Sequence, residues 1–144
     1  MKPFRRIASA APVALLVAGT APALHADVID VDRAALARLL DEGVPIVDIR
    51  RPQEWRDTGV VEGSHLMTFF DADGDYDAVA WKAALDGIVD ADEPVVLICR
   101  TGRRTEIVGQ WLSERAGHAT VYAVDGGIAG WTGSGGETVA PDGP

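Results

Sequence analysis

The sequence predicts one α/β domain, in which a doubly wound sheet of about five mostly parallel strands is flanked by helices. Short apolar runs rich in β-branched residues alternate with amphipathic segments along the chain. The run VVLI at residues 95–98 is apolar throughout, which is typical of a strand buried on both faces of a parallel sheet. With 144 residues and no internal repeat, the chain is long enough for one domain but not for two.

The N-terminal half of the predicted domain supplies three strands. Its first helix carries Leu36, Leu39 and Leu40 on one side and is ended by Gly43. Pro52 opens a second, short helical segment, because proline is tolerated in the first turn of a helix. The predicted elements, in chain order, are a strand and a helix within 28–43, a buried strand at 45–50, the short helical segment at 52–55 and a strand at 64–70.

The C-terminal half continues the alternation of strands and helices. Its predicted elements are a polar turn at 71–77, an amphipathic helix at 76–89, the buried strand that ends at Cys99, a helix at 105–115, a strand at 120–127 and a final turn at 127–131. The side chains expected on the inner faces of the two helices are Val79, Trp81, Leu85 and Ile88, and then Ile107, Val108, Trp111 and Leu112.

Residues 1–26 are typical of a secretory signal peptide. Three basic residues precede an apolar stretch that is short and interrupted by prolines and a glycine, so a permanent membrane span is the weaker interpretation. We expect cleavage after Ala26, or alternatively after Ala23, and an exported, periplasmic protein. The expected organisation is therefore a signal peptide at 1–26, a domain at 27–131 and a flexible, Gly- and Pro-rich tail at 132–144.

The expected mature chain is strongly acidic. Residues 1–26 contain three of the 13 basic residues and none of the 22 acidic ones, so cleavage changes the net charge from −9 to −12. Such a surface repels nucleic acid and anionic lipid. Arg100, Arg103 and Arg104 then stand out as a positive site that suits a small anionic substrate, although three solvated loop arginines are the alternative interpretation.

Cys99, the only cysteine, is the candidate nucleophile. A lone thiol in an oxidising compartment is a liability unless it is buried or chemically used. Because it follows the buried strand, Cys99 is expected at the carboxyl edge of the sheet, where ligands bind in open α/β folds. Attack requires a thiolate, which backbone N–H groups, the start of the next helix and nearby guanidinium groups stabilise. Gly102 lets this loop turn, and Thr105 either donates its hydroxyl to the thiolate or caps the helix.

The length of the loop CRTGRRT, residues 99–105, distinguishes two chemistries. Tyrosine phosphatases place an arginine six positions after the cysteine, where it grips a phosphate with two hydrogen bonds. Thr105 stands at that position here, and Arg104 comes one residue early. A shorter cradle favours a single transferred sulfur over a phosphate. Arg104 itself either binds the sulfur donor or anchors the loop.

Three segments together resemble the rhodanese family, and on them the chain is identified as a single-domain rhodanese-like sulfurtransferase. The segment DIRRPQEW at 48–55, followed by GVVEGS at 59–64, resembles the family's Asp-x-Arg-x-Pro-x-Glu-aromatic element. The loop at 99–105 resembles the family's active loop, and DGGIAGW at 125–131 resembles its closing Gly-Gly and Trp element. Val60 stands where many members carry a histidine.

The resemblance implies ping-pong sulfur transfer. The Cys99 thiolate would attack the outer sulfur of a donor such as thiosulfate, become a persulfide and pass the sulfur to a thiol or protein acceptor. Asp48 and Arg50 match the family motif and are expected to brace the loops. The expected substrate-binding residues are Arg100, Thr101, Gly102, Arg103, Arg104 and Thr105.

No metal or organic cofactor is expected, because the carried sulfur is covalent. The acidic turn at 71–77 is not a calcium loop, since Lys82 occupies the place of the bidentate glutamate. The expected partners are a small anionic sulfur donor and a thiol or protein acceptor, with no nucleic acid and no stable membrane span after signal cleavage. His65 and His118 are expected to have structural or surface roles.

Two other functions are alternatives. A noncatalytic module that carries sulfur or senses oxidation for a partner would use the same pocket. A phosphatase or an arsenate reductase on the same fold would also use Cys99 as its nucleophile, but Thr105 stands where its arginine is needed.

Overall fold

The computed structural model describes residues 28–141, which form an α/β domain. The strands are β1 (Val28–Val31), β2 (Ile46–Asp48), β3 (His65–Leu66), β4 (Pro94–Ile98) and β5 (Thr120–Val124). The helices are α1 (Arg33–Asp41), α2 (Pro52–Thr58), α3 (Ala78–Leu85), α4 (Arg103–Glu114) and α5 (Gly127–Gly133). The strands pair in parallel in the order β1-β5-β4-β2-β3, which confirms the predicted fold class.

β4 lies in the middle of the sheet and is covered on both faces. Val95 and Leu97 pack into the core on the side of α3 and α4, whereas Val96 and Ile98 pack into the core on the side of α1 and α5. Because successive side chains of a strand point to opposite faces, a strand covered on both sides is apolar at every position. Cys99 follows in the alternation and lies on the α3–α4 side.

The predicted strand at 64–70 is shorter in the structure, where β3 contains only His65 and Leu66. The next N–H groups still donate to the β2 segment, from Met67 and Phe69 at 3.0 and 3.2 Å. The Phe69 ring, however, packs among four other aromatic rings, including that of Trp81. Aromatic packing under α3 therefore replaces regular strand pairing at this edge of the sheet.

The helices begin and end at positions set by their capping residues. α3 begins after Asp77, whose carboxylate accepts a hydrogen bond from the N–H of Ala80 at 2.9 Å. α4 begins after Gly102, two residues before the predicted start. α2 continues to Thr58, beyond the predicted segment at 52–55.

Two side chains predicted to face the core are exposed instead. Val79 is 81 % exposed and Ile107 is 51 % exposed. Trp81 and Leu85 fill the inner face of α3, and a residue two positions from Trp81 lies about 200° around the helix. Val108 occupies the inner face of α4, which turns the preceding residue toward solvent.

The segment after α5 packs against the domain. The indole N–H of Trp131 donates to the carbonyl of Glu137 at 2.7 Å, and Val139 pairs antiparallel with Val60 through two hydrogen bonds of 2.9 Å. The looseness expected of the tail from Thr132 stays a prediction. Glycine-rich turns supply the reversal that carries the chain back over the indole.

The predicted signal peptide lies outside the described residues, as do residues 142–144. Within residues 28–141, none of the helices combines the length and the apolar character that crossing a bilayer requires.

Candidate active site

The structure places Cys99 directly after β4, at the predicted carboxyl edge of the sheet. The residue is buried, with 1 % of its surface exposed. Its Sγ accepts a hydrogen bond from the backbone N–H of Gly102 at 3.2 Å. Gly102 has φ +99°, a conformation that favours glycine and turns the loop around the sulfur. The N–H dipole stabilises negative charge on Sγ, which a nucleophilic thiolate requires.

Thr105 lies in the first turn of α4 and is fully buried. Its Oγ1 is 3.8 Å from the Cys99 Sγ and donates a hydrogen bond to the carbonyl of Gly102 at 2.7 Å. A hydroxyl has one hydrogen to donate, so with Gly102 as its acceptor the Thr105 oxygen faces the sulfur as an acceptor. Thr105 thus closes the loop and contacts the sulfur, but its one hydrogen is donated to Gly102 and not to Cys99.

Arg104 forms a two-pronged ion pair with Glu54, which joins α4 to α2. The distances are 2.8 Å from Nη1 to Oε2 and 2.6 Å from Nη2 to Oε1. Hydrogen bonding to Arg104 is the main cause that lowers the pKa of Glu54 from 4.5 to about 2. The same hydrogen bonding raises the pKa of Arg104, and the Cys99 sulfur acts in the same direction. This geometry supports the anchoring role of Arg104.

The other two loop arginines are exposed and border different cavities. Arg100 lines a cavity of about 610 Å³, together with Glu54 and Thr68. Arg103 lines another of about 600 Å³, together with Thr101. Arg100 and Arg103, which the sequence groups in one positive site, therefore border different cavities.

Asp48 and Arg50 form a buried ion pair at the end of β2. Their side chains are 0 % and 1 % exposed, and Arg50 donates from Nη2 to Oδ2 at 2.7 Å and from Nε to Oδ1 at 2.9 Å. Arg50 also donates to the hydroxyl of Thr58 at 2.7 Å and to the carbonyl of Gly59 at 2.8 Å. The pair therefore ties the end of β2 to the end of α2.

The start of α5 holds the backbone of the cysteine loop. Ile128 donates its N–H to the carbonyl of Cys99 at 2.8 Å, and Ala129 donates to the carbonyl of Arg100 at 3.2 Å. Gly127 has φ +59°, and a Cβ there would lie 2.5 Å from the Cys99 carbonyl oxygen. Only glycine allows this approach of the two backbones.

Sequence reasoning did not single out two of these contributors, Glu54 and Gly127. Both lie inside the segments that carry the family resemblance, at 48–55 and 125–131. Their place in those motifs was the available signal, because neither has chemistry of its own that points to Cys99.

The remaining polar groups of the described chain do not form a metal site. Within residues 28–141, no group of three or more His, Cys, Asp and Glu side chains is arranged to hold a metal ion. His118 lies two residues before β5, at the edge of the sheet opposite Cys99, and is buried. His65 is exposed on β3.

Comparisons with known proteins agree with the geometry. The family model described as Rhodanese-like domain matches residues 32–134 of this chain. Thiosulfate sulfurtransferase GlpE of Pseudomonas syringae is 29 % identical over 93 residues, which cover 65 % of this chain and 76 % of that relative.

Two solved structures show the shared fold. The polysulfide-sulfur transferase homodimer from Wolinella succinogenes superposes with a TM-score of 0.60 at 22 % identity, covering 80 % of each chain. A Rhodopseudomonas palustris protein of unknown function, described as a possible tyrosine phosphatase, has a TM-score of 0.58 at 24 % identity, covering 78 % of this chain and 85 % of that one.

Proposed function

Because this chain belongs to the rhodanese-like domain family, we propose that it transfers a sulfane sulfur from thiosulfate or a similar anionic donor to a thiophilic acceptor through a persulfide on Cys99. The family match extends over residues 32–134, which include every residue of the site described above. A relative that is itself a thiosulfate sulfurtransferase supports the choice of donor.

The observation that carries the proposal is the set of groups that surround the Cys99 sulfur in its loop. The sulfur has a backbone N–H of Gly102 at 3.2 Å and the Thr105 oxygen at 3.8 Å, while the guanidinium of Arg104 is already bonded to Glu54. A phosphate ester requires a free arginine that grips two of its oxygens, whereas a single sulfur atom does not. The loop therefore fits a persulfide better than a phosphocysteine.

The chemistry is two displacements at sulfur. In the first, the Cys99 thiolate attacks the outer sulfur of thiosulfate; a new S–S bond forms, the S–S bond of thiosulfate breaks, and sulfite leaves with the electron pair. In the second, an acceptor thiol loses its proton and attacks the outer sulfur of the persulfide. The Cys99 thiolate is released and the acceptor becomes a persulfide, so the cycle needs no external oxidant or reductant.

The chain's own residues bind the donor and stabilise charge in these steps. The N–H of Gly102 stabilises the charged sulfur. Arg100 and Arg103 are exposed on either side of the loop and attract an anionic donor to a protein whose net charge is −9. The acidic surface disfavours nucleic acid as a partner. The proposed location is periplasmic, which the signal-like composition of residues 1–26 supports.

Formation of thiocyanate from thiosulfate and cyanide tests the proposal. The wild-type protein is expected to turn over, and Cys99→Ser is expected to lose transfer completely while retaining its circular dichroism spectrum. Sulfur transfer that persists in Cys99→Ser would overturn the proposal. Hydrolysis of a phosphate ester that depends on Cys99, without any release of sulfite from thiosulfate, would also overturn it.

A further inference from the structure

Glu54 forms a two-pronged ion pair with the Arg104 guanidinium near the protein surface. Its carboxylate accepts one hydrogen bond from each terminal nitrogen of Arg104, and the side chains of Glu54 and Arg104 are 16 % and 22 % exposed. Glu54 also lines the cavity of about 610 Å³ that Arg100 borders. An anion that entered from this cavity would therefore meet the Glu54 carboxylate at the guanidinium that it needs.

The position of this carboxylate is set by α2 and not by the cysteine loop. Glu54 Oε2 accepts from the N–H of Arg51 at 3.1 Å and from its Nε at 3.4 Å, which forms a capping box at the start of α2. The Glu54 carboxylate is thus held in position by α2 before any substrate binds.

Arg104 lies in the Cys99 loop directly before Thr105, whose Oγ1 is 3.8 Å from the Cys99 Sγ. The sulfur is also among the smaller causes that raise the pKa of Arg104. A guanidinium has five N–H donors, and its end-on fork, one N–H from each terminal nitrogen, fits one carboxylate or one oxyanion. While Glu54 occupies this fork, a ligand bound over Sγ cannot use it.

We propose that Glu54 is a specificity-determining residue, which fills the end-on guanidinium fork of Arg104 with an internal carboxylate. It thereby keeps the oxygens of phosphate or sulfate from binding beside Sγ, while the outer sulfur of thiosulfate, which does not need this fork, can still reach Cys99. The inference rests on the proposed function, because it explains how a pocket with a nearby arginine selects one sulfur atom over a whole oxyanion. Neutralising Glu54 frees the fork and removes a negative charge from the entrance.

Two alkylating reagents of nearly equal size test the proposal, since iodoacetate is an anion and iodoacetamide is neutral. The rates of Cys99 alkylation are measured by intact mass, and their ratio reports the charge that the pocket presents. In Glu54→Gln the iodoacetate-to-iodoacetamide ratio is expected to rise about three- to tenfold, as one charge change near a partly exposed site produces. A loosened loop would accelerate both reagents equally and leave the ratio unchanged.

Glu106→Gln is the charge-matched control, because it removes one exposed carboxylate from the first turn of the same helix as Arg104. Its ratio is expected to change by less than about twofold. Inorganic sulfate is expected to protect Cys99 from iodoacetamide at lower concentration in Glu54→Gln than in the wild type. Equal protection in both proteins would overturn the proposal.

The double variant Glu54→Gln with Arg104→Gln tests whether the change in ratio acts through the Arg104 guanidinium or only through the loss of the negative charge of Glu54. The gain in ratio is expected to disappear, and a gain that survives would overturn the assignment to Arg104. These readouts require no sulfur transfer, so they fail or succeed independently of thiosulfate turnover.

Discussion

Two arginine–carboxylate pairs hold α2 in place, and they differ in burial and in what they connect. Asp48 and Arg50 are two residues apart and at most 1 % exposed. The other N–H groups of Arg50 donate hydrogen bonds to the end of α2. Glu54 and Arg104 are 50 residues apart, are 16 % and 22 % exposed, and join α2 to α4 beside the sulfur.

The difference assigns separate tasks to the two pairs. A buried pair whose donors are all used cannot open without leaving a charge in the core, so it fixes the scaffold. A partly exposed pair can exchange one partner for solvent or for a ligand at small cost, so it can control what the site binds. The Asp48–Arg50 pair therefore belongs to the scaffold, and the proposed selectivity is assigned to the Glu54–Arg104 pair.

Matched substitutions of the two arginines give the largest expected effect. Arg50→Met leaves Asp48 buried without its partner and is expected to reduce the free energy of unfolding by about 3–5 kcal/mol. Arg104→Met leaves Glu54 partly solvated and is expected to cost about 1 kcal/mol or less. Urea denaturation measures both, and equal losses would remove the distinction between the pairs.

The backbone contact between the start of α5 and Cys99 is a further part of the scaffold. Disturbing it is expected to have the next largest effect on the free energy of unfolding. Gly127→Ala places a Cβ 2.5 Å from the Cys99 carbonyl at φ +59°, and is expected to cost about 2 kcal/mol or more and to displace the loop. Gly133→Ala is the control, because a Cβ there meets nothing within 4 Å. Comparable stability of the two variants would show that the loop is not held from α5.

His118 is expected to have the smallest effect on the free energy of unfolding at neutral pH. It is a source of acid sensitivity that is independent of both ion pairs. Burial is the main cause that lowers its pKa below 6.5. The unfolded chain therefore binds a proton near pH 6.5 that the folded chain resists, so stability is retained above that pH and falls as the pH drops below it. Urea midpoints at several pH values measure this dependence.

Substitution of each histidine identifies the source of that dependence. His118→Gln is expected to flatten the fall in stability below pH 6.5. His65→Gln is the matched control and is expected to retain the fall, because His65 is exposed on β3. A slope that survives in His118→Gln would assign the acid sensitivity to another group, and the ion pairs would be examined first.

The sequence was sufficient for the sheet and for the place of Cys99. The apolar run at 95–98 specifies a strand covered on both faces, and in a parallel sheet the next residue must lie at the carboxyl edge. The bracing role expected of Asp48 and Arg50 came from their match to the family motif, and the structure shows them as a buried ion pair.

Other features depended on packing that no local pattern encodes. Val79 and Ile107 are apolar, yet the larger or better-placed side chains beside them take the inner helix face. The contact between Glu54 and Arg104 joins residues 50 positions apart, so spacing in the sequence could not separate donor binding from loop anchoring. The approach of Gly127 to Cys99 is likewise visible only in three dimensions.

The central claim is that Cys99 carries the sulfur, and the mass of the Cys99 peptide tests it most directly. After treatment with thiosulfate and removal of the excess, the peptide is expected to gain the mass of one sulfur atom and to lose it when an acceptor thiol is added. The companion product, sulfite, is expected in equal amount. An unchanged peptide, or an added sulfur located on a residue other than Cys99, would contradict the account.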